Sequence, residues 1–143
     1  MNVKESIKKH EGYRSKVYLD TLGKRTVGYG HLCVEDFWMD GVEYEKEFLD
    51  GIFDVDYKKA EDSATRLFEI NGCQDIDDDA KGIIIQMVFQ LGPTGVSKFK
   101  MMWKCLSELN YVGASYEMLD SRWAKQTPNR AKEMANHMKN IGV

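Results

Sequence analysis

Residues 80–91 are the segment that most limits how this chain can fold. The stretch AKGIIIQMVFQL is apolar on nearly every side of a helix, and a helix without a polar face has to be buried. A chain of 143 residues is long enough to enclose such a helix in one compact domain or in two small lobes sharing a core. The sequence therefore predicts a central buried helix within a larger helical lobe.

Amphipathic segments surround this central segment in the sequence. Apolar residues recur at helical spacing, which predicts helices over residues 2–10, 43–70, 97–109, 113–124 and 129–140. Asp77-Asp78-Asp79 should begin the central helix and Gly92-Pro93-Thr94-Gly95 should end it. Thr127-Pro128 is typical of an N-cap followed by proline in the first turn. A boundary within residues 54–60 would divide the long 43–70 segment into two helices.

A β-hairpin is predicted near the amino terminus. Two β-branched and aromatic runs, Lys16–Asp20 and Arg25–His31, flank Thr21-Leu22-Gly23-Lys24. The predicted fold class is therefore α+β, with a hairpin lobe over residues 12–42 and a connecting helix over 43–70. Residues 71–143 together with 1–11 are expected to form the helical lobe, with a cleft between the lobes.

Charge and cysteine content exclude several classes of protein. Residues 35–79 hold sixteen acidic and four basic side chains, so we expect no nucleic acid partner. No apolar stretch is long enough to predict a membrane-spanning segment, so we expect no membrane insertion. The amino terminus lacks a signal peptide pattern, which favours synthesis in a cytoplasm. The odd number of cysteines, Cys33, Cys73 and Cys105, predicts free thiols, and no spacing predicts a metal site.

The polar residues around the hairpin suggest a catalytic set. Cleavage of a sugar–sugar bond requires a carboxyl group that donates a proton and a second carboxylate. We expect Glu11 to be the general acid, Asp20 to orient a water as a carboxylate, and Thr26 to bind the same water. The alternative is a surface glutamate, a turn-capping aspartate and a threonine chosen for its β propensity. The separation of the two carboxylates would decide between inversion and retention.

Three later segments resemble the phage-type lysozymes, including those of the T-even phages. They are Met87–Gly92, Ser121–Trp123 and Gln126–Ala131, and the resemblance covers about residues 1–31 and 43–135. It implies a lysozyme-like fold and an inverting hydrolase of the bond between N-acetylmuramic acid and N-acetylglucosamine in peptidoglycan. It also implies no cofactor or metal, with the catalytic roles given above for Glu11, Asp20 and Thr26.

The same resemblance implies further site residues. Substrate contacts are expected from Gly30, Leu32, Phe89, Gln90 and Arg130. An ion pair between His31 and Asp54 is expected to tie the hairpin lobe to the long helix. This chain departs from the family between residues 32 and 42, where a short acidic and aromatic stretch replaces a longer segment, so sugar subsites beside it cannot be transferred.

The resemblance leads us to expect a monomeric endolysin. It would be made in the cytoplasm of a host bacterium and released to the cell wall by a separate holin. Two alternatives remain: a catalytically silent module that binds peptidoglycan, and a wall-piercing module of a phage tail. Retention of Glu11, Asp20 and Thr26 favours the enzyme over the silent module.

Overall fold

The fold has seven helices and one small sheet within residues 1–142, the part of the chain that this computed structural model describes. This arrangement confirms the α+β fold class. The helices are α1 Val3–Glu11, α2 Lys46–Ile70, α3 Asp78–Ser97, α4 Lys100–Ser107, α5 Tyr111–Leu119, α6 Arg122–Gln126 and α7 Pro128–Lys139. The strands are β1 Arg14–Leu19, β2 Arg25–Gly28 and β3 His31–Leu32.

The chain divides into two compact units, which we describe separately. The first comprises Asn2–Lys59, and the second comprises Met1 with Ala60–Val143. By this division α1 groups with the sheet. The lobe boundaries and the cleft expected from the sequence stay predictions.

The sheet of the first unit is antiparallel, with strand order β1-β2-β3. Thr26 of β2 pairs with Tyr18 of β1 on one side and with Leu32 of β3 on the other. The predicted strand over 25–31 was therefore wrong in its second half. The chain turns at Tyr29-Gly30 and returns as a third strand that the sequence pattern did not indicate.

The core of the first unit lies where the sheet meets the beginning of α2. Val27, Trp38 and Leu49 are almost completely buried and pack together. The helix α2 continues without a break from Lys46 to Ile70, so no boundary occurs within residues 54–60. Trp38 belongs to the short 32–42 segment, and its indole thus packs beside β2 and α2.

The second unit is built around α3, as the sequence predicted. Ile83, Ile84 and Met87 of this helix are completely buried. Buried side chains of the other helices in this unit include Met102, Leu106, Met118, Trp123 and Met138. The side chain of Asp77 accepts a hydrogen bond from the backbone N–H of Asp79 at 2.8 Å, which confirms the predicted start of α3.

Two predicted helix boundaries need correction. The predicted end of the central helix at residues 92–95 is a kink at Gly92, after which helical structure continues from Pro93 to Ser97. The predicted helix over 113–124 is two helices, α5 and α6. The hydroxyl of Ser121 accepts a hydrogen bond from the N–H of Ala124 at 3.2 Å and so begins α6 as its N-cap.

The beginning of α7 also differs in detail from the prediction. Pro128 occupies its first turn as expected. The hydroxyl of Thr127, however, donates to the carbonyl of Trp123 at 3.1 Å and does not cap the helix. Within residues 1–142, no helix combines the length and the apolar character needed to cross a membrane.

Burial of α3 leads to a stability prediction. We expect Met87→Ala to lower the free energy of unfolding by about 2–5 kcal/mol, because a completely buried side chain would leave a cavity. Met101→Ala is the matched control, since the side chain of Met101 is 54% exposed. Urea denaturation of both variants measures the difference. Equal losses would show that α3 does not form the centre of this unit.

Candidate active site

The carboxyl group of Glu11 lies against the backbone of Gly30. Glu11 is the last residue of α1 and is half-buried. Gly30 has a φ of 79°, in the left-handed region that favours glycine. A Cβ atom placed on Gly30 would be only 2.7 Å from Oε2 of Glu11. The turn between β2 and β3 can therefore approach this carboxyl group only because residue 30 has no side chain.

Asp20 holds the turn of the first hairpin. Its Oδ1 accepts hydrogen bonds from the backbone N–H groups of Leu22 at 2.9 Å and Lys24 at 2.8 Å. Its own backbone N–H donates to the carbonyl of Lys24 at 2.9 Å. Both of these N–H groups donate to Oδ1, which fixes the carboxylate in position. Oδ2 accepts neither of these two hydrogen bonds.

Thr26 lies in the middle strand and is only 3% exposed. Its hydroxyl donates a hydrogen bond to the carbonyl of Lys24 at 3.0 Å. Since this bond uses the single hydroxyl proton, the oxygen of Thr26 can act toward any other group only as an acceptor. The carbonyl of Lys24 thus accepts hydrogen bonds from the backbone N–H of Asp20 and from the hydroxyl of Thr26. One turn therefore links these two predicted site residues.

His31 forms an ion pair with α2, but the partner predicted from the sequence was wrong. Nδ1 of His31 lies 2.7 Å from Oδ2 of Asp56. The carboxylate of Asp54 instead lies 3.6 Å from the ammonium group of Lys4. Positions 54 and 56 are two residues apart on one helix, so they point about 200° apart around its axis. Only Asp56 is on the side of α2 that faces His31.

A second carboxylate at His31 was not anticipated from the sequence. Nε2 of His31 lies 2.7 Å from Oε1 of Glu35, and the indole N–H of Trp38 donates to the same oxygen at 2.7 Å. Both ring nitrogens can donate to carboxylates only when the imidazole carries a positive charge. No sequence motif indicates this contact, because it depends on the path of the irregular segment after β3.

The electrostatic effects at this cluster agree with its geometry. The hydrogen bond to Asp56 raises the pKa of His31; burial opposes this effect, and the bond to Glu35 adds to it. The hydrogen bonds from Trp38 and His31 lower the pKa of Glu35. His31 is therefore stabilised as a cation, and Glu35 as an anion.

The second unit carries the remaining predicted site residues. Phe89 and Gln90 lie near the end of the first part of α3, and Arg130 lies in the first turn of α7. All three are half-buried. The indole N–H of Trp123 donates to Oε1 of Gln90 at 2.9 Å, which fixes the orientation of that amide. Trp123 itself is 4% exposed and packs edge-on against Phe99, with 6.2 Å between the ring centroids.

The structure thus brings together two subsets of the predicted residues. Glu11 and Gly30 are in contact, and Asp20 and Thr26 meet at Lys24. Leu32 is 44% exposed and pairs with Thr26 across the sheet. Among residues 1–142, no three histidine, cysteine, aspartate or glutamate side chains are grouped closely enough to hold a metal ion.

A comparison of two glycines tests the contact at Glu11. Gly30→Ala and Gly28→Ala both place a side chain on a residue with positive φ, at a cost of about 1–2 kcal/mol each. The new Cβ at position 28 would be in ordinary contact with Leu49, at 3.5 Å, whereas that at position 30 would collide with Glu11. We expect the larger loss of unfolding free energy for Gly30→Ala. Equal losses would mean that the glutamate can move aside without cost.

The charged state of His31 predicts a pH dependence of stability. A histidine whose pKa is raised by folding adds its full contribution to the free energy of unfolding below its unfolded pKa of about 6.5. This contribution disappears as the pH rises through the folded pKa. Wild type should therefore lose unfolding free energy above pH 6.5, and His31→Asn should flatten that part of the profile. The exposed His137, changed to Asn, is the control. A profile unaltered by His31→Asn would contradict this assignment.

Comparison with known proteins confirms the resemblance seen in the sequence. The family model described as Phage lysozyme matches residues 8–139. Probable T4-type lysozymes 1 and 2 of Dictyostelium discoideum are 30% and 28% identical to the chain, each over 93% of it and 91% of the relative. The pre-baseplate central spike protein Gp5 of Enterobacteria phage T4 is 29% identical over 94% of this chain and 27% of its own length. Because the family model covers most of its length, this chain belongs to the phage lysozyme family.

Proposed function

We propose that this protein is a peptidoglycan hydrolase that cleaves the β-1,4 bond between N-acetylmuramic acid and N-acetylglucosamine with inversion. The observation that carries the proposal is the position of two carboxyl groups in a member of the phage lysozyme family. Glu11 ends α1 against Gly30, and Asp20 is held by the hairpin turn. Glycoside hydrolysis requires two such groups in different roles.

Glu11 is proposed as the general acid. It would donate its proton to the glycosidic oxygen as the bond from that oxygen to the anomeric carbon breaks. Its place at the end of a helix, half-buried and in contact with a turn, restricts the movement of the carboxyl group. A restricted acid favours the reaction because less freedom is lost when the proton is transferred.

Asp20 and Thr26 are proposed to hold the attacking water. Oδ2 of Asp20 would take a proton from the water while the water oxygen forms its bond to the anomeric carbon. The hydroxyl of Thr26 donates its proton to Lys24 and can therefore only accept a hydrogen bond from the water. Attack from the face opposite the leaving oxygen gives inversion. The hydroxyl of Thr26 is little exposed, which supports a contact with a small molecule such as a water.

Gly30, Leu32, Phe89, Gln90 and Arg130 are proposed to bind the polysaccharide. Each matches a substrate-contacting position of the family, and the exposed side chain of Leu32 and the fixed amide of Gln90 support such contacts. We propose that the protein acts without a cofactor, as a monomer, on the wall of a host bacterium whose cytoplasm it leaves with the help of a holin.

The similarity to Gp5 supports a second candidate role. Gp5 is named as a central spike protein, and this chain is similar to about a quarter of it. A wall-piercing module of a phage tail would use the same reaction. The two roles differ in whether the protein is built into the virion, so mass spectrometry of purified particles separates them.

The acid role predicts the effect of a single substitution. We expect Glu11→Gln to reduce lysis of outer-membrane-permeabilised Gram-negative cells by about 100-fold or more, because the amide cannot protonate the leaving oxygen. Turbidity and released reducing sugar are the measurements. The matched control is Glu5→Gln, on the same helix and exposed, which should lyse cells like wild type.

Two results would contradict the proposal. Equal lysis by wild type and Glu11→Gln would remove Glu11 from the acid role. Wild type that sediments with isolated walls but releases no reducing sugar would identify a catalytically silent binding module instead.

A further inference from the structure

An exposed apolar surface lies on the first unit and includes none of the residues assigned to catalysis. It consists of Phe37, Met39, Val42 and Phe48, which we call the aromatic patch. These side chains are 50%, 63%, 38% and 44% exposed, respectively. Phe37 and Phe48 are in contact, with ring centroids 6.1 Å apart. Exposed apolar surface of this kind, with two rings in contact, often marks an interaction site on a folded protein.

Buried and half-buried rings support the patch from below. Trp38 contacts Phe37 at 4.6 Å and Phe48 at 5.8 Å between centroids, and it also contacts Tyr44 at 4.9 Å. Trp38 is 4% exposed and packs into the core with Val27 and Leu49. The exposed rings are thus the outer layer of a cluster whose inner layer is fixed.

Hydrogen bonds hold this segment in place. The carbonyl of Trp38 accepts from Nη2 of Arg25 at 3.2 Å, and the indole N–H donates to Glu35. The backbone N–H of Met39 donates to the hydroxyl of Tyr44 at 2.8 Å. These bonds restrict the backbone and the indole of Trp38, against which the rings of Phe37 and Phe48 pack. A preorganised surface binds a partner with a smaller entropic cost.

Negative charge accompanies the patch along the chain. Asp36, Glu43, Glu45 and Glu47 are exposed and stand within a few residues of the four apolar side chains. The basic group in this stretch, Lys46, is paired with Asp50 at 3.0 Å. An apolar centre with acidic neighbours attracts positive charge and repels anions.

We propose that the aromatic patch binds a basic amphipathic segment of another polypeptide. Its apolar side chains would cover Phe37 and Phe48, and its lysine or arginine side chains would pair with the exposed carboxylates of the same segment. The same carboxylates disfavour nucleic acid, anionic lipid and anionic wall polymers as occupants. This interaction is independent of the proposed hydrolysis, because it uses none of the residues assigned to that reaction.

A synthetic peptide provides the test. The probe is a helical peptide of about five turns, with leucine on one face and lysine on the other, and its companion carries glutamate in place of every lysine. We expect wild-type protein to bind the lysine peptide in fluorescence anisotropy, more weakly as salt is added, and not to bind the glutamate peptide. The doubly substituted Phe37→Ser, Phe48→Ser protein should bind at least about tenfold more weakly.

Matched variants distinguish binding at the aromatic patch from nonspecific binding to exposed apolar or acidic residues elsewhere. Leu22→Ser with Ile70→Ser removes two side chains that are 78% and 77% exposed elsewhere and should bind like wild type. Glu45→Gln with Glu47→Gln should weaken binding, whereas Asp62→Asn with Glu69→Gln, two exposed acids later in α2, should not. Circular dichroism confirms that each variant is folded.

Several results would overturn the proposal. These are no binding of the lysine peptide, equal binding of the glutamate peptide, or equal losses in the patch and control variants. Sedimentation that reveals a dimer lost on Phe37→Ser, Phe48→Ser would assign the patch to a second copy of the chain. Binding to phosphatidylcholine vesicles that depends on the same two residues would assign it to a lipid surface.

Discussion

The two carboxylate contacts of His31 link three parts of the first unit to one another. One imidazolium joins the end of the sheet to α2 through Asp56 and to the irregular segment through Glu35. Glu35 in turn holds the indole of Trp38, which occupies the core beside Val27. A single ring therefore connects the turn at Gly30, which contacts the glutamate proposed as the acid, with the irregular segment that follows β3.

The sequence predicted features that follow from local physical chemistry. A helix without a polar face must be buried, and α3 is buried at Ile83, Ile84 and Met87. The negative charges at Asp77-Asp78-Asp79 favoured a helix start, and α3 begins there. The predicted site residues were found by resemblance, and the structure adds that Glu11 meets Gly30 and that Asp20 and Thr26 meet at Lys24.

What the sequence did not predict depends on tertiary contacts. The third strand, His31–Leu32, is too short to produce a periodic pattern. The predicted partner of His31, Asp54, lies two residues before the observed partner, Asp56. Packing sets the rotation of α2 about its axis, and this rotation decides which aspartate faces His31. The role of Glu35 could not be anticipated, since it arises where an irregular segment folds back on the end of a strand. Each miss concerns a position fixed by the rest of the molecule.

The bond between Trp123 and Gln90 limits how Gln90 could act in its proposed role of binding the polysaccharide. An indole N–H can only donate, so the amide oxygen of Gln90 must face it. The NH₂ group of the amide then remains for other contacts, and in the role proposed for Gln90 it would donate a hydrogen bond to the polysaccharide. A glutamate at this position would keep the bond to the indole while offering an acceptor in place of the donor. A single nitrogen-to-oxygen exchange would thus reverse which groups this position can recognise.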